Sequence, residues 1–184
     1  MVNRALFLDR DGVINIDYGY VYTIEKFEFI EGIFDLVKHA NDKGYLVIVI
    51  TNQAGIGRGY YTENEFEELT RWMCGIFKDE GSLITKVYFC PSHPDHGLGK
   101  YKVNDWRRKP MPGMIMDAAK DYNLDLGSSV LIGDKNSDIE AGISSKVGCN
   151  IFFQQSSVVS SNVEKNYIEI SSLNLAKNFL KVKG

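Results

Sequence analysis

Short apolar runs recur along the chain and predict the strands of a sheet. The run at 45–50 is continuous in apolar residues, whereas a strand with one face in water would alternate apolar and polar residues. The pattern therefore predicts strands that are buried on both faces, which is typical of a parallel sheet. The predicted strands are residues 4–9, 45–50, 86–90, 129–132 and 150–153, with a short sixth strand near 167–170.

Amphipathic helices alternate with these strands. In the first helix, Ile33, Leu36, Val37 and Ala40 recur at helical spacing and would share one face. Helices are predicted at 32–43, 63–79, 112–122, 136–146 and 172–181, and Thr62 would cap the second of them. The alternation predicts an α/β fold, a doubly wound (Rossmann-like) parallel sheet of five to six strands. Because no repeat or long linker divides it, we expect residues 1–184 to form a single domain.

Several connections between these elements are long or rich in glycine. Residues 12–30 are aromatic and turn-rich, and they predict a flap over the sheet edge or a surface hairpin packed on the core. Residues 54–59 contain three glycines and predict a flexible loop, and residues 91–109 predict a long irregular loop. The serine-rich stretch 154–165 predicts a mobile loop.

Composition narrows the function by exclusion. The 184 residues carry 21 Lys and Arg against 24 Asp and Glu, and this net charge of −3 disfavours a nucleic-acid partner. No apolar run approaches the roughly 18 residues of a membrane span, and the chain does not begin with a signal-peptide pattern. The three cysteines are an odd, scattered set rather than a disulfide framework, so we expect a cytoplasmic protein without a membrane partner.

Polar side chains follow three of the predicted strands. Asp9 ends the first strand and Asp11 lies just beyond it, Thr51 and Asn52 follow the second strand, and Asp134 and Asp138 follow the fourth. Because the carboxyl ends of parallel strands meet at one edge, these groups would lie close together. Two close carboxylates repel each other unless a cation separates them, and oxygen ligands suit Mg²⁺. For Asp9 and Asp11 alone, an acidic turn after a strand is the alternative.

Such a cluster suits phosphoryl transfer. Asp9 could attack phosphorus to form an aspartyl phosphate, and Asp11 could protonate the leaving alcohol and then activate water. Thr51 and Lys109 could bind the remaining phosphoryl oxygens, where charge sits in the transition state. No Walker lysine follows a glycine-rich loop at the first strand, so a P-loop nucleotidase is disfavoured.

The same residues resemble a known group of phosphatases. Asp9-x-Asp11-Gly-Val, strand-end Thr51, distal Lys109 and Gly-Asp134-x-x-x-Asp138 are similar to the four motifs of the haloacid dehalogenase superfamily. Over residues 4–154 the chain further resembles the D-glycero-D-manno-heptose 1,7-bisphosphate 7-phosphatases and the related histidinol-phosphate phosphatases. The segments that carry this resemblance are residues 7–15, 19–21, 27–29, 51–56, 90–91, 108–110, 112–114 and 133–135.

The resemblance implies a Mg²⁺-dependent phosphomonoesterase that removes the 7-phosphate of the heptose bisphosphate through an aspartyl-phosphate intermediate. It implies that Asp9 is the nucleophile, that Asp11 is the general acid and base, and that Thr51 and Lys109 stabilise the phosphoryl group. Magnesium would be held by Asp9, the backbone carbonyl of Asp11, and Asp134. Asp138 would orient the metal shell or a lysine.

Loops rather than a large cap domain would enclose the substrate in such an enzyme. Arg108 would pair with the remote phosphate of a bisphosphate. The implied substrate-binding residues are Asp17, Tyr18, Gly19, Tyr20, Asn52, Gln53, Ala54, Arg108 and Lys135.

One segment departs from the family pattern. In many members, a zinc ion holds the long loop and is bound by a Cys-x-His motif and a later Cys-x-Cys motif. Here Cys90 remains, but Ser92 stands at the histidine position, and Asp105 and Arg107 stand where the later cysteines would be. His93, His96 and Asp105 could in principle complete a site with Cys90. Because an arginine replaces a thiolate, we expect no zinc.

Other functions fit parts of the pattern. Histidinol phosphate, or another small sugar or alcohol phosphate, is the alternative substrate, but histidinol phosphate would favour an acidic pocket over Arg108. The alternative that is not an enzyme is a phosphoacceptor receiver-like domain. In receiver domains the acceptor aspartate follows a middle strand, whereas in this chain Asp9 and Asp11 lie at the end of the first strand. We therefore expect a small sugar bisphosphate as the partner. We also expect the protein to be a monomer.

Overall fold

Six parallel strands form one sheet in the order β3-β2-β1-β4-β5-β6, so the first strand lies near the middle. The structure is a computed structural model, and it describes residues 2–155 and 166–182. This topology confirms the predicted doubly wound parallel sheet. The strands are β1 Ala5–Leu8, β2 Leu46–Asn52, β3 Lys86–Cys90, β4 Val130–Gly133, β5 Cys149–Phe153 and β6 Ile168–Ile170.

The central strand is apolar throughout because helices cover both faces of the sheet. Leu6 and Leu8 belong to the core on one side, whereas Ala5 and Phe7 belong to the core on the other. All four side chains are fully buried. This burial accounts for the unbroken apolar run that the sequence shows before Asp9.

The predicted amphipathic helices flank the sheet. The face of α1 buries Ile33, Leu36, Val37 and Ala40, as expected. Thr62 caps α3 in a reciprocal capping box with Glu65. The helices are α1 Ile33–Asp42, α2 Ala54–Gly57, α3 Glu63–Asp79, α4 Gly113–Tyr122, α5 Asn136–Ser144 and α6 Leu173–Ala176.

Two sequence predictions were wrong in detail. Residues 54–57 form the short helix α2 rather than a flexible loop, since Arg58 N–H donates to the Ala54 carbonyl and Gly57 packs against the long loop. A Cβ on Gly57 would lie 2.4 Å from the Pro91 carbonyl oxygen. The last helix is also shorter than predicted, because it tightens into a 3-10 turn at Lys177–Phe179.

The aromatic segment 12–30 folds back on itself at the carboxyl edge of the sheet. Asn15 and Phe29 form an antiparallel bridge, and Ile30 N–H donates to the Ile14 carbonyl. Phe27 and Phe29 pack their rings on Trp72 of α3, so the segment combines the two expected arrangements. The mobile loop predicted at 154–165 lies, from residue 156 onward, outside the described residues. Within the described residues, no helix has the length and apolar character needed to cross a bilayer.

Candidate active site

A cavity of about 510 Å³ opens at the carboxyl ends of the central strands. It lies where the sequence predicts the site, and thirteen of the candidate residues line it. These are Asp9, Asp11, Asp17, Gly19, Tyr20, Thr51, Asn52, Gln53, Ala54, Arg108, Lys109, Lys135 and Asp138.

Asp9 and Lys109 form a buried ion pair at the base of the cavity. Lys109 Nζ lies 2.9 Å from Asp9 Oδ1 and 2.6 Å from Asp138 Oδ1, and it donates to the Ile50 carbonyl over 2.8 Å. The backbone N–H of Arg10 also donates to Asp9 Oδ1, over 2.7 Å. Although burial opposes protonation, the carboxylates of Asp138 and Asp9 raise the pKa of Lys109. The ammonium is therefore held as a fixed positive charge beside Asp9.

Asn52 holds the backbone of Lys109. Its side-chain amide donates to the Lys109 carbonyl and accepts from the Lys109 N–H, each over 3.0 Å. Both ends of the Asn52 amide are thus paired with the backbone of a single residue in the long loop. This arrangement gives Asn52 a positioning role, and its contact with substrate stays a prediction.

The Asp11 carboxylate lies in a dense set of hydrogen bonds. Arg10, which is 1% exposed, reaches both of its oxygens through Nη2 over 2.8 Å. Asn15 donates to Oδ1 and Gln53 donates to Oδ2, each over 3.0 Å. These donors fix the carboxylate at the cavity wall.

Gln53 links Asp11 to Thr51. Its Nε2 group lies 2.8 Å from Thr51 Oγ1 and donates to Asp11 Oδ2, while its Oε1 accepts from the Tyr61 hydroxyl. Tyr61 is 5% exposed and stacks on Tyr22. The structure therefore places Gln53 inside a buried polar network, and its contact with substrate remains untested.

Three carboxylates can share a cation here. Asp9, Asp134 and Asp138 offer oxygen atoms that all lie within 4.8 Å of one another. Asp134 Oδ1 is buried and has no hydrogen-bond partner among the described residues. Burial raises the pKa of both Asp9 and Asp134, and neighbouring carboxylates raise it further. Buried oxygens that repel one another and include an unpaired acceptor fit the preference of Mg²⁺ for hard ligands.

Asp138 serves Lys109 and the start of α5. Its Oδ1 contacts the Lys109 ammonium and its Oδ2 accepts from the backbone N–H of Lys135 over 2.9 Å. Both Asp138 oxygens thus contact a cation or an N–H donor, whereas Asp134 Oδ1 has no such partner within the described residues, so Asp134 is the better ligand of the two. The side chain of Asp11 is not part of the carboxylate cluster formed by Asp9, Asp134 and Asp138, and metal binding through the Asp11 carbonyl stays a prediction.

Gly12 makes room for this carboxylate cluster. Its φ of +94° is in the left-handed region, and a Cβ there would lie 2.1 Å from Asp134 Oδ2. Only glycine satisfies both conditions without displacement.

The rim of the cavity is closed on one side by an ion pair. Lys135 Nζ lies 2.9 Å from Asp17 Oδ2, which connects the aromatic segment to the end of β4. Tyr18 does not line the cavity; it is 58% exposed and donates through its hydroxyl to Glu28. Of the residues expected to bind substrate, Tyr18 is the one that lies away from the cavity.

The long loop is held by polar contacts at the positions where relatives are expected to bind zinc. Ser92 donates to Asp105 over 3.2 Å, and Arg107 pairs with Asp117 of α4 over 2.7 Å. The fully buried Cys90 lies near Asp105, and burial raises the pKa of its thiol to about 11. These side chains have partners of their own, and the absence of zinc stays a prediction.

Four cavity residues were not among the sequence candidates: Gly55, Tyr61, Pro110 and Ser137. Pro110 and Ser137 are adjacent to predicted positions, so proximity along the chain could have indicated them. Tyr61 carries no local signal, because its role depends on a contact with Gln53.

Comparisons with known proteins agree with this geometry. A family model described as polynucleotide kinase 3 phosphatase matches residues 13–178. The D-glycero-alpha-D-manno-heptose-1,7-bisphosphate 7-phosphatase of Burkholderia mallei is 61% identical over 151 residues, which cover 82% of this chain and 80% of the relative. The D-glycero-beta-D-manno-heptose-1,7-bisphosphate 7-phosphatase of Haemophilus influenzae is 38% identical, over 99% of this chain and 100% of the relative.

A solved structure shows the same fold. The D,D-heptose 1,7-bisphosphate phosphatase from B. bronchiseptica, complexed with magnesium and phosphate, superposes with a TM-score of 0.82. It is 22% identical, and the match covers 96% of this chain and 97% of that chain. From the sequence matches, this chain belongs to the D-glycero-D-manno-heptose 1,7-bisphosphate 7-phosphatase family of the haloacid dehalogenase superfamily.

Proposed function

We propose that this chain is a Mg²⁺-dependent phosphatase that removes the 7-phosphate of D-glycero-D-manno-heptose 1,7-bisphosphate. The observation that carries the proposal is the cavity lined by Asp9, Thr51 and Lys109, in a chain 61% identical to a relative of that name. Asp134 offers an oxygen atom within 4.8 Å of one of Asp9. Such a set of groups binds, attacks and neutralises a phosphoryl group.

Asp9 is the nucleophile in this proposal. Its Oδ1 is engaged by Lys109 and by the Arg10 N–H, so Oδ2 is the oxygen that attacks phosphorus. The bond to the sugar oxygen breaks as the aspartyl bond forms. Lys109 and Thr51 stabilise the charge on the equatorial oxygens.

Asp11 carries the proton. It protonates the departing 7-oxygen, and it then takes a proton from the water that hydrolyses the aspartyl phosphate. The hydrogen bonds from Arg10, Asn15 and Gln53 support this role because they hold the carboxylate in one orientation.

Magnesium would be held by Asp9, Asp134 and the Asp11 carbonyl. When bound, it supplies positive charge to the phosphate and relieves the repulsion between Asp9 and Asp134. Asp134 Oδ1, which is buried and has no hydrogen-bond partner among the described residues, is the observation that supports bound magnesium.

The α anomer is the proposed substrate. The 61% identical relative is named for the alpha substrate, whereas relatives named for the beta substrate are 38–48% identical. The net charge of −3 supports a sugar phosphate rather than a polynucleotide. We further propose a cytoplasmic, monomeric single domain, without zinc or a membrane partner; the three free cysteines fit a reducing compartment.

The test is phosphate release, with Mg²⁺, from both anomers of the heptose bisphosphate and from histidinol phosphate. We expect the highest kcat/KM for the α anomer. A preference for the β anomer would correct the anomer alone. A preference for histidinol phosphate, or no release from any of the three, would contradict the heptose assignment.

A further inference from the structure

The buried hydroxyl of Tyr61 ends a chain of hydrogen bonds that begins at two residues of the proposed mechanism. Tyr61 lines the cavity, and its hydroxyl donates to Gln53 Oε1. Gln53 is also buried, and its Nε2 group lies 3.0 Å from Asp11 Oδ2 and 2.8 Å from Thr51 Oγ1. The side chains of Asp11 and Thr51 are therefore linked to Tyr61 through one amide.

Asp11 sets the direction of the hydrogen bonds in this chain. An ionised carboxylate only accepts, so the end of the Gln53 amide that faces Asp11 is its NH₂ group. The amide oxygen then faces Tyr61, whose hydroxyl pairs with it by donating. Burial raises the pKa of the Tyr61 hydroxyl, and the net shift stays upward although the Arg10 guanidinium opposes it. The hydroxyl therefore keeps its hydrogen and remains a donor.

The same chain orients the hydroxyl of Thr51, which is buried and lines the cavity. One N–H bond of Gln53 Nε2 points to Asp11, and Thr51 Oγ1 accepts the other. Because the oxygen of Thr51 accepts from Gln53, its own hydrogen is left for a different acceptor. In the proposed function, that acceptor is an oxygen of the reacting phosphoryl group.

Packing around the Tyr61 ring holds its hydroxyl in place. The ring stacks on Tyr22, with ring centres 4.9 Å apart and ring planes 8° apart. The ring also packs against Gly55 of α2, where a Cβ would lie 2.2 Å from Tyr61 Cε1. Glycine at this position permits the close approach of ring and backbone. The ring therefore has little freedom to move away from Gln53.

We infer that Tyr61 is a positioning residue whose hydroxyl locks the amide of Gln53 in one orientation. The inference rests on the proposed function, since it takes Asp11 and Thr51 to act on the reacting phosphate. Without the hydroxyl, Gln53 Oε1 would lose its donor inside the protein, and the amide would be free to rotate. A rotated amide would place its oxygen beside both side chains. Asp11 would then be repelled, and Thr51 would donate to Gln53 rather than to phosphate.

Tyr61→Phe removes the hydroxyl and keeps the ring, so it tests the inference directly. With heptose 1,7-bisphosphate and Mg²⁺, we expect kcat to fall about tenfold while KM stays within about twofold, because the misdirected groups act mainly on the transition state. Tyr22→Phe removes a hydroxyl from the ring that stacks on Tyr61 and is the matched control; it should leave kcat within about twofold. An unchanged kcat in Tyr61→Phe would overturn the inference.

A double-mutant cycle separates positioning through Gln53 from a general effect on packing. Gln53→Met is close in size to glutamine but has neither amide group, and it is combined with Tyr61→Phe. If Tyr61 acts through Gln53, Tyr61→Phe should change kcat by less than about twofold in the Gln53→Met protein. A tenfold loss in both backgrounds would contradict the positioning role. Gln53→Leu replaces Gln53→Met if the latter does not fold.

Failure of the heptose assignment can be told apart from failure of the positioning role. If the wild type releases no phosphate from heptose 1,7-bisphosphate, the proposed function fails, and the cycle is measured with para-nitrophenyl phosphate. A loss of kcat in Tyr61→Phe that disappears in the Gln53→Met background would still support the role of Tyr61. Equal losses in the two backgrounds with this substrate would overturn it.

Discussion

At the scale of single residues, the charges of the site balance only in part. Lys109 is the one fully buried ammonium among the described residues, and it lies between Asp9 and Asp138. Asp134 adds a third carboxylate whose Oδ1 has no partner in that part of the chain. The half-exposed Lys135, 3.9 Å away, compensates it weakly. The excess negative charge explains why a divalent cation would fit beside Asp9, the proposed nucleophile.

Replacement of Asp9 by asparagine should abolish turnover and leave the fold intact. The amide has nearly the shape of the carboxylate but is not a nucleophile, so kcat should fall at least about 1,000-fold. Phosphate release and circular dichroism measure the two effects. Asp79→Asn, at the exposed end of α3, is the control and should retain full activity. Activity of Asp9→Asn near that of the wild type would remove Asp9 as nucleophile.

Gly12→Ala should weaken magnesium binding. The new methyl group would occupy the space of Asp134 Oδ2, and the positive φ adds a cost of roughly 1–2 kcal/mol to the folded state. We expect the Mg²⁺ affinity measured by titration calorimetry to fall about 10- to 100-fold. Gly75→Ala in α3, where a Cβ meets no atom within 4 Å, should bind Mg²⁺ as the wild type does. Equal affinities in the two variants would contradict this account.

At the scale of elements, the end of β2 positions Lys109, the last residue of the long loop. Thr51 and Asn52 are the last residues of β2, and Asn52 pairs with both polar groups of the Lys109 backbone. The lysine thereby receives a rigid support, although residues 91–109 contain little regular structure. The end of β2 and the end of the long loop are thus held together as one rigid unit.

Asn52→Ala should weaken the attachment of the long loop to the end of β2. The Lys109 backbone would lose both hydrogen bonds, at a cost of about 1–3 kcal/mol in unfolding free energy. A small shift of the ammonium should lower kcat about 100-fold, since phosphoryl transfer depends on exact placement. Phosphate-release assays measure kcat, and thermal unfolding measures the loss of stability. Asn104→Ala, at an exposed position of the same loop, should change neither quantity; a loss of activity as large as that of Asn52→Ala would argue against a specific role for the pairing.

The long loop should stay ordered without zinc. Ser92, Asp105, Arg107 and Asp117 contact one another at or near the positions where relatives are expected to bind the metal. Elemental analysis of the purified protein should therefore find less than stoichiometric zinc, and a chelator selective for zinc over magnesium should leave activity unchanged. One zinc per chain would show that this interpretation of the loop is wrong.

The sequence predicted those features that depend on local pattern. Apolar runs followed by Asp9, Thr51 and Asp134 identify strand ends, and parallel topology alone then brings them to one edge. The pairing of Asn52 with Lys109, or of Tyr61 with Gln53, depends on packing between distant segments, and no local pattern encodes it. The glycines at 55 and 57 predict a loop when they are considered alone, but close packing makes them part of a helix.

At the scale of the whole molecule, the site occupies only the middle of the sheet. β2, β1 and β4 are neighbours, and their carboxyl ends supply Thr51, Asp9 and Asp134. β5 and β6 extend the sheet on one side without lining the cavity. Their contribution is to stability, because they complete the cores that hold the central strands.

The described residues of one chain supply every side chain that the proposed mechanism uses, so we expect the monomer to be active. We expect light scattering during size-exclusion chromatography to give a mass near 20.8 kDa at assay concentration. Specific activity should then be independent of protein concentration. A mass twice as large, with activity that falls on dilution, would contradict the monomer.

The three contacts of the Lys109 ammonium also make turnover a reporter of complete folding. They join the carboxyl end of β1, the interior of β2 and the start of α5, which are far apart along the chain. Contacts of such high sequence separation form only when the intervening loops have closed. A refolding chain should therefore regain its secondary structure before it can release phosphate, and the lag between the two signals would time the docking of the long loop.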